Sequence, residues 1–302
     1  MKLLRIVPSN SNIPFIKYHL VTFLLSAMML IGSIFAIFSI GLSFGIDFKG
    51  GLVVEVEIND STDIAQLRSD LNKLGLGGVI LQEFSAERAI LIRVPYQGSD
   101  KNEQTNTIKK IRQVMPSNIK FRRTEFVGPT VGREMINAAV LAIVLALLSI
   151  MIYIWFCFEW QFGLCAILAL VHDIILTIGL FSLIEHEFNT STVAALLAIA
   201  GSSINDTVVI YDRVRENLQL YKNMSLSKLL ELSINETLSR TTTTSFTTLL
   251  ALASVYFFGG AGLTDFALAM IWGISVGTYS SIFIAAPLLL YTGVCDKRIA
   301  SS

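Results

Sequence analysis

Long apolar blocks alternate with one extended polar stretch along this chain. Six segments, at 19–41, 137–157, 162–184, 190–211, 239–258 and 264–291, are predominantly apolar over the roughly 20 residues that a helix needs to cross a bilayer. Each is expected to be a membrane span. Lys2, Arg5 and Lys17 precede the first as they would a secretory leader. Its apolar core is too long for one, and no small-x-small cleavage site closes it, so it reads as an uncleaved span.

After the first span the period changes. "LVVEVEI" (52–58) alternates apolar and polar like a half-buried strand. "TDIAQLRSDLNKLG" (62–75) carries Ile64, Leu67, Leu71 and Leu74 at helical spacing, with Gly75 as its stop. "VILQEF" and "AILIRVP" read as strands joined by a polar "SAER" hairpin loop. "NEQTNTIKKIRQVM" reads as a second helix and "NIKFRRTEFV" as a last strand. The order βαββαβ is the ferredoxin-like arrangement.

The predicted fold is thus a polytopic α-helical membrane protein with six spans and one α+β domain. Its divisions are a tail at 1–18, a first span at 19–41, a ferredoxin-like domain within 42–136, five spans over 137–293 and a tail at 294–302.

Charge fixes the orientation. Lys2, Arg5 and Lys17 before the first span, Arg213, Arg215, Lys222 and Lys228 between the fourth and fifth, and Lys297 and Arg298 at the end mark cytoplasmic flanks. The loops "EHEFN" (185–189) and "FGGAGLTDF" (258–266) hold no lysine or arginine. Both termini are therefore expected inside, and the α+β domain outside.

Composition agrees with a membrane protein. The mean hydropathy is +0.63 and only 15% of the 302 residues are charged, against roughly a quarter in soluble domains. With 23 basic and 23 acidic residues, the balance offers no footing for nucleic acid. Cys157, Cys165 and Cys295 lie in or beside apolar blocks without a CxxC pair or a Cys/His cluster. Neither a disulfide framework nor a metal site is indicated. No nucleophile and base pair appears in the outer domain, so the chain is not expected to be an enzyme.

The chemistry lies where polar residues interrupt the spans. Asn205 and Asp206 break the fourth together, in its inner half. An ionised carboxylate there costs roughly 2.5–3.5 kcal/mol on insertion scales. It must face a partner or water inside the bundle, or hold a proton, and a group able to do both is a proton carrier. Serine or asparagine would suffice for interhelical glue; that is the reading given to Asn205. His172 and Asp173 sit near the middle of the third span, about 100° apart on the helix. Asp173 is either structural or part of a relay, and His172 reads as a hydrogen-bonded packing residue.

Arg240 opens the fifth span and is followed by seven Ser/Thr residues in eight positions. It either snorkels to the headgroups or serves as counter-charge to a carboxylate on a neighbouring helix. The Thr run reads as interhelical hydrogen bonding. In the sixth span Gly273 and Gly277 have small-xxx-small spacing, and Pro287 is expected to loosen the last turns. Two glycine-rich stretches bracket the outer domain: "FGIDFKGG" with Gly45, Gly50 and Gly51, and "VGPTVGRE" with Gly128, Pro129 and Gly132. They are either ordinary turns or a paired hinge.

Six stretches in order, "GIDFKGG", "VGPTVGRE", "HDIILT", "GSSINDTVVIYDRVREN", "INETLSRTTTTSFTT" and "GTYSSIFIAAPLLL", resemble the signatures of the SecF branch of the SecD/SecF protein-export family, within the resistance–nodulation–division (RND) superfamily. The resemblance spans nearly the whole chain; Ser202 is a small departure, where the family commonly has a bulkier residue. It implies a protein of the bacterial cytoplasmic (inner) membrane that uses the proton motive force in the Sec pathway and needs no other cofactor. It implies a six-span SecD partner that completes a twelve-span unit, the channel SecYEG, the accessory proteins YajC and YidC, and an unfolded polypeptide in transit. It implies that Asp206 and Arg240 form the proton relay, with Asp173, His172 and Asn205 supporting.

Two alternatives compete with that expectation. A small-molecule or lipid exporter of the same superfamily would need a second outer domain between later spans, where this chain has only a short loop after the fifth. A purely structural subunit would tolerate neutral replacements of Asp206 and Arg240.

Overall fold

The computed structural model describes residues 12–57, 64–76, 79–84, 89–95, 101–115, 119–259 and 261–292. The "SAER" hairpin loop, both charged tails with Lys2, Arg5, Lys297 and Arg298, and Cys295 lie outside the described residues.

Helix α1 (His19–Ser39) is followed by a short strand β1 (Ser43–Phe44) and a one-turn helix α2 (Ile46–Lys49). Then come β2 (Gly51–Glu57), α3 (Ile64–Lys73), β3 (Ile80–Phe84), β4 (Ala89–Pro95), α4 (Lys101–Val114) and β5 (Lys120–Val127). The strands form one antiparallel sheet in the order β3-β4-β2-β5. Alternation explains which face is covered: Leu52, Val54 and Val56 of β2 and Ile90, Ile92 and Val94 of β4 are buried with Leu67 and Leu71 of α3 and Ile111 of α4. Helical and strand periods therefore converge on one small core.

The remaining chain is helical: α5 (Pro129–Cys157), α6 (Trp160–Leu183), α7 (Thr190–Leu220), α8 (Leu226–Phe258) and α9 (Ala261–Ser280). A two-residue strand β6 (Glu187–Phe188) precedes α7 and pairs in parallel with β1. Five helical stretches are long and apolar enough to cross a membrane: Ile16–Ser39, Val131–Cys157, Trp160–Leu183, Thr190–Leu220 and Leu263–Tyr291. Leu20, Val21, Leu24, Ile31 and Phe35 on α1 and Val140, Leu141, Leu145 and Trp155 on α5 are exposed, the pattern of faces that meet lipid or another apolar helix.

The predicted fifth span, 239–258, lies within α8, which is less apolar than these five. Its cause is the hydroxyl run at 241–248. The helix that carries the second expected span, 137–157, begins earlier, at Pro129, because "VGPTVGRE" is a helix start rather than a free turn. Gly128 is its N-cap and Pro129 its first residue, where a missing N–H costs nothing. The stretch between the fourth and fifth spans is not a loop either. α7 runs on to Leu220 and α8 starts at Leu226, so the two form a helical hairpin.

Pro287 has the expected local effect. Ser281–Ala285 form a π turn, followed by a short helix α10 (Ala286–Leu288) and a 3-10 turn (Leu289–Tyr291). Pro287 cannot donate to the carbonyl of Phe283; Thr22 Oγ1 of α1 donates to it instead at 3.3 Å. Tyr211 Oη donates to the Ala285 carbonyl at 3.0 Å. Side chains thus satisfy carbonyls that the wound-out turn leaves open.

Candidate functional site

Asp206 sits on α7 where three helices meet. Ser203 and Ser202 lie one turn before it, Ser245 and Thr244 face it from α8, and Thr278 and Gly277 from α9; together they line a cavity of about 90 Å³. That volume accommodates water, which needs roughly 10–15 Å³ and polar partners. Ser245 Oγ lies 3.4 Å from Asp206 Oδ2 and 2.7 Å from Thr278 Oγ1. The carboxylate is half-buried and bordered by hydroxyls that either donate or accept.

Asn205 borders this cavity and also a second, open cleft lined by Tyr153, Cys157, Asp212, Arg215 and Arg240. Among the described residues no ion pair within 4 Å joins Arg240 to Asp206. The structure therefore brings Arg240 to the neighbouring cleft, with Asn205 between the two. Among the described residues no group of three His, Cys, Asp or Glu side chains could hold a metal ion.

α7 and α9 approach closely enough to shape the cavity because of two glycines. A Cβ at Gly273 would overlap Ile199, and one at Gly277 would lie 3.1 Å from the Ser203 Cβ. Asp173 and His172, on α6, lie behind this contact. Both are buried, and Asp173 Oδ1 is 3.0 Å from His172 Nδ1. Ser203 Oγ donates to Asp173 Oδ2 at 2.6 Å, and Ser280 Oγ is 2.8 Å from the same oxygen. Neither serine stood out in the sequence; the available signal was the position of Ser203 one turn before Asp206.

The Thr run behaves differently from the expectation of interhelical bonds. Thr243, Thr244, Thr247 and Thr248 are exposed, and each hydroxyl donates to a carbonyl three or four residues earlier on α8. This back-bonding is the usual fate of a helical threonine. Ser245 is the member that reaches another helix.

A second polar constellation ties the α+β domain to the ends of the helices, and sequence reading missed it. Asp47 Oδ2, in α2, accepts from the Thr190 amide at 3.0 Å and from its hydroxyl at 2.5 Å, placing a carboxylate at the positive end of α7. Asn189 caps the same helix through Thr192 and donates to Asp265 Oδ2 at 2.5 Å, while His186 Nε2 lies 2.7 Å from Asp265 Oδ1. Arg93 of β4 forms an ion pair with Glu187. Burial pulls the Arg93 guanidinium below its ordinary value, and the charges of Asp265 and Asp47 oppose that pull.

The glycine stretches meet in the same region. Gly50 and Gly51 have φ of 77° and 152°, conformations that side chains disfavour. Gly45 N donates to the Phe188 carbonyl at 2.9 Å, and Gly132 packs against the Phe48 carbonyl. Residues from both ends of the α+β domain thus form one joint.

Comparison with known proteins follows the same two regions. A family model described as "Protein export membrane protein SecD/SecF, C-terminal" matches residues 106–294, and one described as "SecD/SecF GG Motif" matches residues 35–61. The chain is 44% identical to protein translocase subunit SecF of Rickettsia rickettsii over 293 residues, covering 95% of this chain and 94% of that protein. It is 43% identical to SecF of Rickettsia bellii over 290 residues, covering 95% of each. Among solved structures, a crystal structure of SecDF, a translocon-associated membrane protein from Thermus thermophilus, aligns with a TM-score of 0.82 at 33% identity. The alignment covers 94% of this chain and 39% of the SecDF chain. SecDF in a super-membrane-facing form aligns with a TM-score of 0.68 at 34% identity, covering 97% of this chain and 40% of that one. The chain belongs to the SecD/SecF family of protein-export membrane proteins.

Proposed function

We propose that this chain is the SecF-like subunit of the accessory complex of the Sec protein translocase. In this reading it is a transport component rather than an enzyme, and works with a SecD subunit. It draws on the proton motive force to complete export of preproteins across the cytoplasmic membrane. α8 counts as the fifth of six spans, because the exposed hydroxyls of Thr243, Thr244, Thr247 and Thr248 are satisfied by its own backbone and need no water. Both termini are then cytoplasmic, and the βαββαβ unit is a ferredoxin-like domain on the outer, periplasmic side. SecD would cover the face that carries Asn205 and Arg240, both exposed and too polar to meet lipid. SecYEG is the channel served, with YajC and YidC as further neighbours.

The observation that carries this reading is a carboxylate at hydrocarbon depth, set in a small hydroxyl-lined cavity and next to a cleft with an arginine. Asp206 takes up a proton from one side and releases it to the other, with Arg240 favouring the ionised form. Packing of α7 against α8 and α9 differs between the two forms. The joint at Gly45, Gly50, Gly51, Gly128, Pro129 and Gly132 serves as the hinge that passes the difference to the outer domain. One charge crossing 100 mV yields about 2.3 kcal/mol, enough to shift a two-state equilibrium roughly fifty-fold.

The test is Asp206→Asn, assayed in inverted membrane vesicles for export stimulated by an imposed gradient. The variant is expected to co-purify with its SecD partner and to lose the stimulation. Full stimulation by the variant would leave a non-energised scaffold as the better description.

A further inference from the structure

A second membrane-buried carboxylate stands directly behind the first. Asp173 is fully buried, and three helices converge on it: α6 contributes His172, α7 contributes Ser203 and α9 contributes Ser280. Ser203 has two faces. Its hydroxyl donates to Asp173 Oδ2 at 2.6 Å, while the same residue lines the cavity that holds Asp206. Gly277 backs this contact, since a Cβ there would stand 3.5 Å from Asp173 Oδ2. His172 Nε2 is buried with no hydrogen-bond partner among the described residues, and of the side chains that bond the Asp173 carboxylate, Ser203 is the one that also lines the cavity.

We propose that Asp173 is a positioning residue for Asp206, acting through Ser203. The inference rests on the proton-relay reading of Asp206 and adds a residue to it. A serine hydroxyl has one hydrogen and two lone pairs. Because the hydrogen is directed at Asp173, Ser203 presents only lone pairs to the cavity. An acceptor wall favours the protonated form of Asp206, which donates, over the ionised form, which does not. Asp173→Asn would let the hydroxyl accept from the new amide and turn its hydrogen toward the cavity. The wall would then favour the ionised form.

The charged or titratable groups around Asp206 are few among the described residues. Arg240 comes from α8, Asp173 and His172 from α6, Tyr153 and Cys157 from α5 in the adjoining cleft, and Asp212 and Arg215 from its own helix; α9 contributes none. Turning the Ser203 hydroxyl toward the cavity, as in Asp173→Asn, and removing it, as in Ser203→Ala, both weaken the acceptor wall beside Asp206.

The experiment measures gradient-stimulated export against pH in vesicles holding the chain with its SecD partner. The variants are Asp173→Asn, Ser203→Ala and Asp206→Asn. The half-maximal pH is expected to fall by about one unit in Asp173→Asn and in the same direction, by less, in Ser203→Ala. An unchanged midpoint in both variants, whether or not the amplitude falls, overturns the proposal and leaves Asp173 as a structural tie. A shift confined to Asp173→Asn also overturns it, because Asp173 then acts without Ser203. Should Asp173→Asn fail to accumulate, Ser203→Ala decides, since it removes a single hydroxyl. Retained stimulation in Asp206→Asn would instead mark the failure of the relay reading itself.

Discussion

Gly132, in the first turn of α5, packs so closely on Phe48 of α2 that a Cβ at position 132 would overlap the Phe48 carbonyl oxygen. The chain segment leaving the outer domain is thereby held against the segment entering it. Gly132→Ala forces backbone apart from backbone, which no side-chain rotation relieves. A cost of about 1–3 kcal/mol is expected, as for overpacked sites. Thermal unfolding of the purified protein in detergent measures it, and a melting temperature equal to that of the wild type would contradict the close contact.

Asp47 joins the same segment to α7. Its carboxylate satisfies the Thr190 amide and hydroxyl at a helix end where negative charge is favoured. Asp47→Ala is expected to destabilise the first turn of α7 by about 0.5–2 kcal/mol, and Asp47→Asn by less. Hydrogen exchange resolves the effect locally. Unchanged exchange at residues 190–193 in Asp47→Ala would exclude it.

The ion pair between Arg93 and Glu187 links the outer sheet to the loop before α7. Its side chains are only 11% and 17% exposed, so solvent screens the pair weakly. Arg93→Glu and Glu187→Arg are each expected to weaken docking of the outer domain, and the double exchange to recover part of the loss. A double-mutant cycle on unfolding free energy should return a coupling of about 0.5–3 kcal/mol. Strict additivity would show that the two charges act separately.

Gly273 sets the distance between α7 and α9. Gly273→Val drives into Ile199 and is expected to cost about 1–3 kcal/mol. Adding Ile199→Ala makes room and should restore part of it. If the second change makes matters worse, the contact is not what limits the approach of the helices.

How much of this was legible depends on how local the signal is. Five of the six expected apolar blocks were plain and match the five helical stretches long and apolar enough to cross a membrane, because a span needs only about 20 apolar residues in a row. The alternation in 52–58 and the periodic leucines of 62–75 likewise gave β2 and α3, each displaced by a residue or two at its ends. α8 was harder: its threonines lower the apolarity while their bonds to its own carbonyls remove the penalty. Asp206 and Asp173 were visible as carboxylates inside apolar runs. Their surroundings were not, since Ser203, Ser280 and Gly277 become partners only when α6, α7 and α9 pack together. The outer constellation was hidden for the same reason: Asp47, Arg93, Glu187 and Asp265 lie far apart in sequence.

The self-satisfied threonines of α8 bear on how it meets a neighbour. A helix whose exposed hydroxyls are already engaged on its own carbonyls offers a partner shape but few obligatory polar contacts. Two such surfaces could slide past one another without first breaking a bond and exposing its halves to oil. Friction at that boundary would then come from steric interlocking alone.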